Sequence, residues 1–178
     1  MDNDQKIEII LTGGTIDSRW HGPSDTAIPN EKSILPEYFR SLFLYQELTF
    51  TEVCMKDSRH LTPEDIDKVL EAIHNSKADK IIVTHGTYTM PDTAKILEAN
   101  LKREGQTIVL TGSMVPLFGF YPSDAPFNLG FALAKVRELS PGVYLSMNGE
   151  VFTPSEVAKN LSEGKFYSIF RKRGNNVQ

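Results

Sequence analysis

Five short apolar runs constrain the fold of this chain more than any other feature. Each is too brief for a helix, and each gives way to small or polar residues. Lys6–Leu11 (KIEIIL) stops at Thr12-Gly13-Gly14-Thr15, and Leu48–Cys54 runs into Asp57-Ser58-Arg59-His60. Lys80–Thr84 (KIIVT) leads to His85-Gly86-Thr87-Tyr88-Thr89, Thr107–Thr111 (TIVLT) to Gly112-Ser113, and Val143–Met147 (VYLSM) to Asn148-Gly149. Runs of this length, rich in Ile, Val and Leu and bounded by turn residues, read as buried strands.

Helical patterns fill the gaps. Ile34–Leu44 carries Pro36 in its first turn, where the missing N–H costs nothing. Thr62-Pro63-Glu64-Asp65 is a helix start with a Thr N-cap, Pro at N1 and an acid at N3. Behind it Ile66, Val69, Leu70 and Ile73 form one stripe at 3.6 spacing. Pro91 opens a helix with Ala94, Leu97 and Leu101 inward. Ser123-Asp124 starts another that is apolar nearly all round (Phe127, Leu129, Phe131, Ala132, Leu133, Val136), which predicts cover on more than one side. Asp17–Ser33 is polar and broken by Gly22-Pro23 and Pro29-Asn30, so it reads as a long binding loop or lid. Beyond Val151-Phe152 the chain turns polar.

Continuous apolar strands alternating with helices predict an α/β fold: a three-layer sandwich around a mostly parallel, Rossmann/flavodoxin-like sheet. The chain has 178 residues, which is one domain over 1–170 with a basic, polar tail over 171–178. Hydrophobic residues make up 40% and charged residues 24%, the mix of a folded globular protein. The formal charge of −4 argues against a general nucleic-acid binder, and no run nears the roughly 20 apolar residues that span a bilayer. Without an apolar segment after Met1, no signal peptide is visible, which predicts a cytoplasmic protein. One cysteine, Cys54, excludes a disulfide framework. His21, His60, His74 and His85 lack paired ligand spacing, so no metal is expected, and Thr12–Asp17 lacks the dinucleotide glycine spacing, so no cofactor is expected. His74, on the amphipathic helix, reads as a surface residue.

In open α/β sheets ligands bind outside the carboxyl ends of the strands. The hydroxyls and glycines that follow these strands therefore gather at one edge. Such a set suits an activated Thr or Ser nucleophile with an oxyanion hole, or a cradle for an anion.

The same residues resemble a known family. Ile10-Leu11-Thr12-Gly13-Gly14-Thr15-Ile16 resembles the first signature of the bacterial-type L-asparaginases. His85-Gly86-Thr87-Tyr88-Thr89-Met90, followed by Asp92-Thr93-Ala94, resembles the second. Asp57-Ser58 ahead of Leu61-Thr62-Pro63-Glu64-Asp65, and Leu110–Pro116 with Ser123–Leu129, are weaker matches in the same order. Only the amino-terminal domain is matched, as in the short members of the family.

The resemblance implies an amidohydrolase that releases ammonia through a Thr15 acyl-enzyme, with Thr87 as second essential threonine and Ser58 holding a substrate carboxylate. Gly14, Asp57, Gly86, Tyr88 and Ser113 join these as candidate binding residues, with Gly14 and neighbouring N–H groups facing the developing charge. A small-molecule amide is the implied substrate, and a homo-oligomer, most simply a dimer, the implied assembly.

The departures are as informative. The family places an aspartate after His-Gly-Thr, where it meets the substrate's α-ammonium group and pairs with a lysine; here Tyr88 stands. A phenol, with an ordinary pKa of about 10, cannot supply that charge. Asp57, Asp17 or Asp124 could replace it, or the substrate could lack a free α-amino group. The lysine is sought around Phe166-Tyr167-Ser168, where Tyr167 stands, with Lys165 and Lys159 nearby. The loop tyrosine that activates the nucleophile is missing from Asp17–Ser33, which offers Trp20 and His21. Two rival readings use the same crevice: a binding or sensing domain for an amino acid or nucleotide, and a noncovalent hydrolase or lyase acting on another small amide or glycosidic bond.

Overall fold

In the computed structural model, which describes residues 6–170, six of the strands form one sheet. β1 (Lys6–Gly13), β4 (Glu47–Lys56), β5 (Lys80–Thr84), β6 (Thr107–Thr111) and β7 (Gly142–Met147) run parallel. β8 (Glu150–Phe152) adds an antiparallel edge, giving the order β4-β1-β5-β6-β7-β8. The five parallel strands follow the flavodoxin-like arrangement, second-first-third-fourth-fifth, whose switch point lies between the first and third strands.

Alternation along the strands builds two cores. Ile7, Ile9 and Leu11 point to the face covered by α1 (Leu35–Ser41) and α4 (Ala125–Glu138), with Phe39, Leu129 and Val136 packed on them. Ile10, Ile81, Val83 and Leu110 point to the face covered by α2 (Pro63–Asn75) and α3 (Met90–Asn100), against Val69, Ile73, Ala94 and Leu97. The result is the predicted three-layer α/β/α sandwich.

The start of α2 is as its sequence dictates. The Thr62 side chain accepts from Asp65 N–H, and an Asp65 carboxylate oxygen accepts from Thr62 N–H at 2.9 Å. Asp65 also takes both strong hydrogen bonds of Lys56 Nζ, at 2.7 and 2.9 Å, fastening α2 to the end of β4. Between β7 and β8, Asn148 and Gly149 both take positive φ, the two-residue turn that suits a hairpin.

Three expectations need correction. Asp17–Ser33 is not an open loop: Ser18–His21 (β2) and Thr26–Pro29 (β3) pair as an antiparallel hairpin. Buried Asp17 anchors its base, accepting from Ser33 Oγ, Asn30 Nδ2 and Ile34 N–H. The helix expected over Ile34–Leu44 ends at Ser41, because Leu42 turns extended and Leu42 and Leu44 then pack on the sheet. The polar stretch past Phe152 holds a second hairpin, β9 (Val157–Asn160) with β10 (Lys165–Ser168). The tail over 171–178 lies outside the described residues, as do residues 1–5.

Candidate active site

At the switch point the ends of three strands and one hairpin enclose a small cleft of about 170 Å³. Gly14 and Thr15 come from the turn after β1, Asp57, Ser58 and Arg59 from the turn after β4, and Gly86, Thr87 and Tyr88 from the turn after β5. Lys159, on β9, closes it from the side.

Glycine lets these turns meet. Gly14 has φ 79°, and a Cβ there would overlap the Gly86 backbone. A Cβ on Gly86 would lie 2.6 Å from Ser58 Oγ. Neither position tolerates a side chain, so the cleft's depth is written into two glycines. The Gly14 N–H is not an oxyanion donor, since it donates to Lys56 O at 2.8 Å. Thr87 and Tyr88 line the cleft, and their N–H groups have no hydrogen-bond partner among the described residues.

Lys159 is the residue that sequence reasoning did not place. Its Nζ donates to Thr87 Oγ1 at 2.7 Å and lies 5.9 Å from the centre of the Phe166 ring. Burial lowers its pKa from the ordinary lysine value. The missed signal is the period-two pattern of β9: Val157 is buried in the core, and Lys159, two residues on, projects from the same side of the strand. Tyr167, which the resemblance puts at the lysine's position, pairs with Ala158 and is exposed.

Below Thr87 sits His85, fully buried and pushed down to about 4 by burial, which outweighs the opposing bond to Gly86 O. A carbonyl only accepts, so His85 Nδ1–H donates to Gly86 O at 2.7 Å, leaving Nε2 to accept from Thr93 Oγ1 at 3.0 Å. This neutral imidazole clamps the turn to α3 and faces no substrate. Ser58 is buried behind the turn, where its Oγ accepts a long hydrogen bond from Thr89 N–H and its carbonyl accepts from Thr89 Oγ1.

Asp57 is bound edge to edge by Arg59, Nε at 3.0 Å and Nη2 at 2.7 Å, and accepts from Arg59 N–H as well. The Arg59 hydrogen bonds hold its carboxyl below the ordinary range. The Arg59 guanidinium also lies 5.9 Å over the half-exposed Tyr88 ring. The other two acids considered are elsewhere: Asp17 holds the hairpin, and Asp124 accepts from Met114 N–H, Val115 N–H and Asn128 Nδ2. Ser113 does not line the cleft; it is buried and donates to Val115 O at 2.6 Å. Trp20 stands outside too, edge-on to Phe120. His74 is half-buried rather than a surface residue, and its Nε2 is enclosed. Among the described residues no cluster of three or more His, Cys, Asp or Glu could hold a metal ion, and no helix is long and apolar enough to cross a membrane.

A flavodoxin-ordered α/β domain with threonines from two strand ends and a desolvated lysine at its switch point is the class this geometry defines. The chain belongs to the asparaginase family: the family's amino-terminal domain matches residues 6–170. L-asparaginase 1 of Escherichia coli K12 is 32% identical over 168 residues, 90% of this chain and 49% of that protein. The solved thermostable L-asparaginase of Thermococcus kodakarensis is 27% identical and superposes with a TM-score of 0.78 over 94% of this chain and 52% of that one. A probable cytoplasmic L-asparaginase of Campylobacter jejuni gives 25% and 0.79, over 92% and 53%. The chain thus spans about half the length of these relatives.

Proposed function

We propose that this chain is an asparaginase-type amidohydrolase that releases ammonia from a small carboxamide through a Thr15 acyl-enzyme. The observation that carries the proposal is the 2.7 Å hydrogen bond between Lys159 Nζ and Thr87 Oγ1, in the cleft that also holds Thr15. A threonine hydroxyl is a weak nucleophile and needs a base within reach. Desolvation raises the fraction of Lys159 that is neutral and able to accept a proton.

In the proposed sequence Thr15 Oγ attacks the carboxamide carbon, and its proton passes by way of Thr87 to neutral Lys159. The oxygen charge that develops is met by the free N–H groups at Thr87 and Tyr88. The C–N bond breaks as the departing nitrogen takes a proton from the Lys159 ammonium, and ammonia leaves. Water then gives a proton to Lys159 and opens the Thr15 ester, releasing the acid and restoring the hydroxyl.

The test is ammonia release from a panel of small carboxamides by wild type and by Thr15→Ala. Turnover in the first that is lost in the second supports the proposal, whereas equal turnover in both overturns it. One observation favours the rival binding or sensing role: the cleft's single carboxylate, Asp57, is already taken by Arg59. Binding without turnover on any amide would establish that role instead.

We further propose residues 1–170 as one catalytic unit that works in the cytoplasm as a homodimer. The likeness to a probable cytoplasmic L-asparaginase and an apolar helix face left uncovered support this.

A further inference from the structure

Charge in the cleft is unbalanced in a way that bears on what it holds. Two cations line it, Arg59 and Lys159, against one carboxylate, Asp57. Both Asp57 oxygens are engaged by the Arg59 guanidinium, and one takes the Arg59 N–H besides. Lys159 bonds a hydroxyl rather than an acid. The remaining lining residues are glycines, hydroxyls and the Tyr88 phenol. A cationic ligand group entering here would find the one carboxylate already paired with a guanidinium and would sit near Lys159, a cation with no acid partner in the cleft, which raises its free energy.

Size sharpens the point. The cleft is small, about 170 Å³, so the part of a ligand that enters it lies against these lining residues. An ammonium group held inside it would lie beside Lys159 and the paired Arg59. A carboxylate fits the same surroundings well.

We infer that the cleft selects carboxylate-bearing amides whose α-substituent is uncharged: acid amides with no α-nitrogen, or asparagine whose α-nitrogen is acylated. Free L-asparagine is the disfavoured ligand. The inference rests on the reading that this cleft is where the amide is held. Tyr88 and Arg59 are its specificity determinants, Tyr88 by leaving no charge at its position and Arg59 by occupying the one acid present.

Calorimetric titration of Thr15→Ala, which keeps intact amides in the site, tests this with three ligands: succinamic acid, N-acetyl-L-asparagine and L-asparagine. At pH 7 at least one of the first two binds ten times or more tightly than L-asparagine. If only succinamic acid does so, the site accepts amides without the nitrogen; if N-acetyl-L-asparagine does too, it accepts acylated ones. L-asparagine binding as tightly as both, or no binding of any of the three, overturns the inference. Arg59→Gln frees Asp57 to meet an ammonium group, and Tyr88→Asp supplies a new acid on the exposed turn. Each narrows the preference at least tenfold in the same Thr15→Ala background, and an unchanged preference in both variants also overturns it. Ammonia release by the wild-type chain separates the two readings. If the binding order holds while no amide is hydrolysed, the hydrolase falls and the selectivity stands.

Discussion

Lys159 holds its charge at a disadvantage. Burial lowers its pKa, and its one strong partner is the Thr87 hydroxyl, which stabilises either protonation state weakly. If the neutral amine is the base, turnover needs the form present above its folded pKa. Activity should therefore rise with pH along a limb whose inflection lies below the ordinary lysine value of about 10.4. A pH profile of kcat/KM checks this, and a limb that falls as pH rises would count against a neutral lysine base. Lys159→Met should lower kcat by a factor on the order of 100 or more while moving KM far less. Lys159→Arg should not restore it, because a guanidinium stays charged throughout.

At the scale of elements, the turn between β5 and α3 depends on a histidine that must stay neutral. His85 titrates at about 4 when folded and near 6.5 when unfolded. Above pH 6.5 neither state binds the proton, and the clamp contributes fully. Between 6.5 and 4 the unfolded chain takes a proton that the folded chain refuses, so stability falls as pH falls, by roughly 3 kcal/mol at the lower end. Asp57 and Asp65, held below ordinary carboxylate values by Arg59 and Lys56, lose their contributions at still lower pH. Urea unfolding at pH 7 and pH 4.5 should show the loss, and His85→Gln should show much less of it. An equal pH dependence in the variant would assign the effect elsewhere. Elements of this core were legible because their causes are local. The apolar runs and the Thr62-to-Asp65 cap carry their own signals, and so do the glycines that bring Thr15 and Thr87 to one edge. The two hairpins were not, because Ser18–Pro29 and Val157–Ser168 are polar and their pairing depends on surfaces built elsewhere. Lys159 was lost with the second of them, and the engagement of Asp57 by Arg59 is a side-chain choice that spacing does not record.

For the whole molecule the telling surface is on α4. The sequence predicts cover on more than one side of this helix, yet the fold covers one. Ala125, Leu129, Ala132, Leu133 and Val136 are buried on the sheet, while Phe127 remains 58% exposed, beside exposed Gly130 and Ala134. Phe127 and Phe131 stack parallel at 6.1 Å, and Phe127 lies over Gly149 of the β7–β8 turn. An aromatic ridge beside a notch of small residues is complementary to itself under a two-fold axis, the ridge of one copy fitting the notch of the other. A lasting interface needs roughly 800 Å² per partner, more than one helix face supplies, so the contact has to spread onto the β7–β8 turn. The proposed homodimer should therefore centre on α4. Sedimentation over a range of concentrations should show wild type as a dimer and Phe127→Glu with Ala134→Glu as a monomer. Because both side chains are exposed, the double variant should unfold within a few degrees of wild type, which separates lost assembly from lost folding. A wild-type chain that sediments as a monomer throughout would leave the α4 face without its proposed occupant and remove the dimer from the proposal.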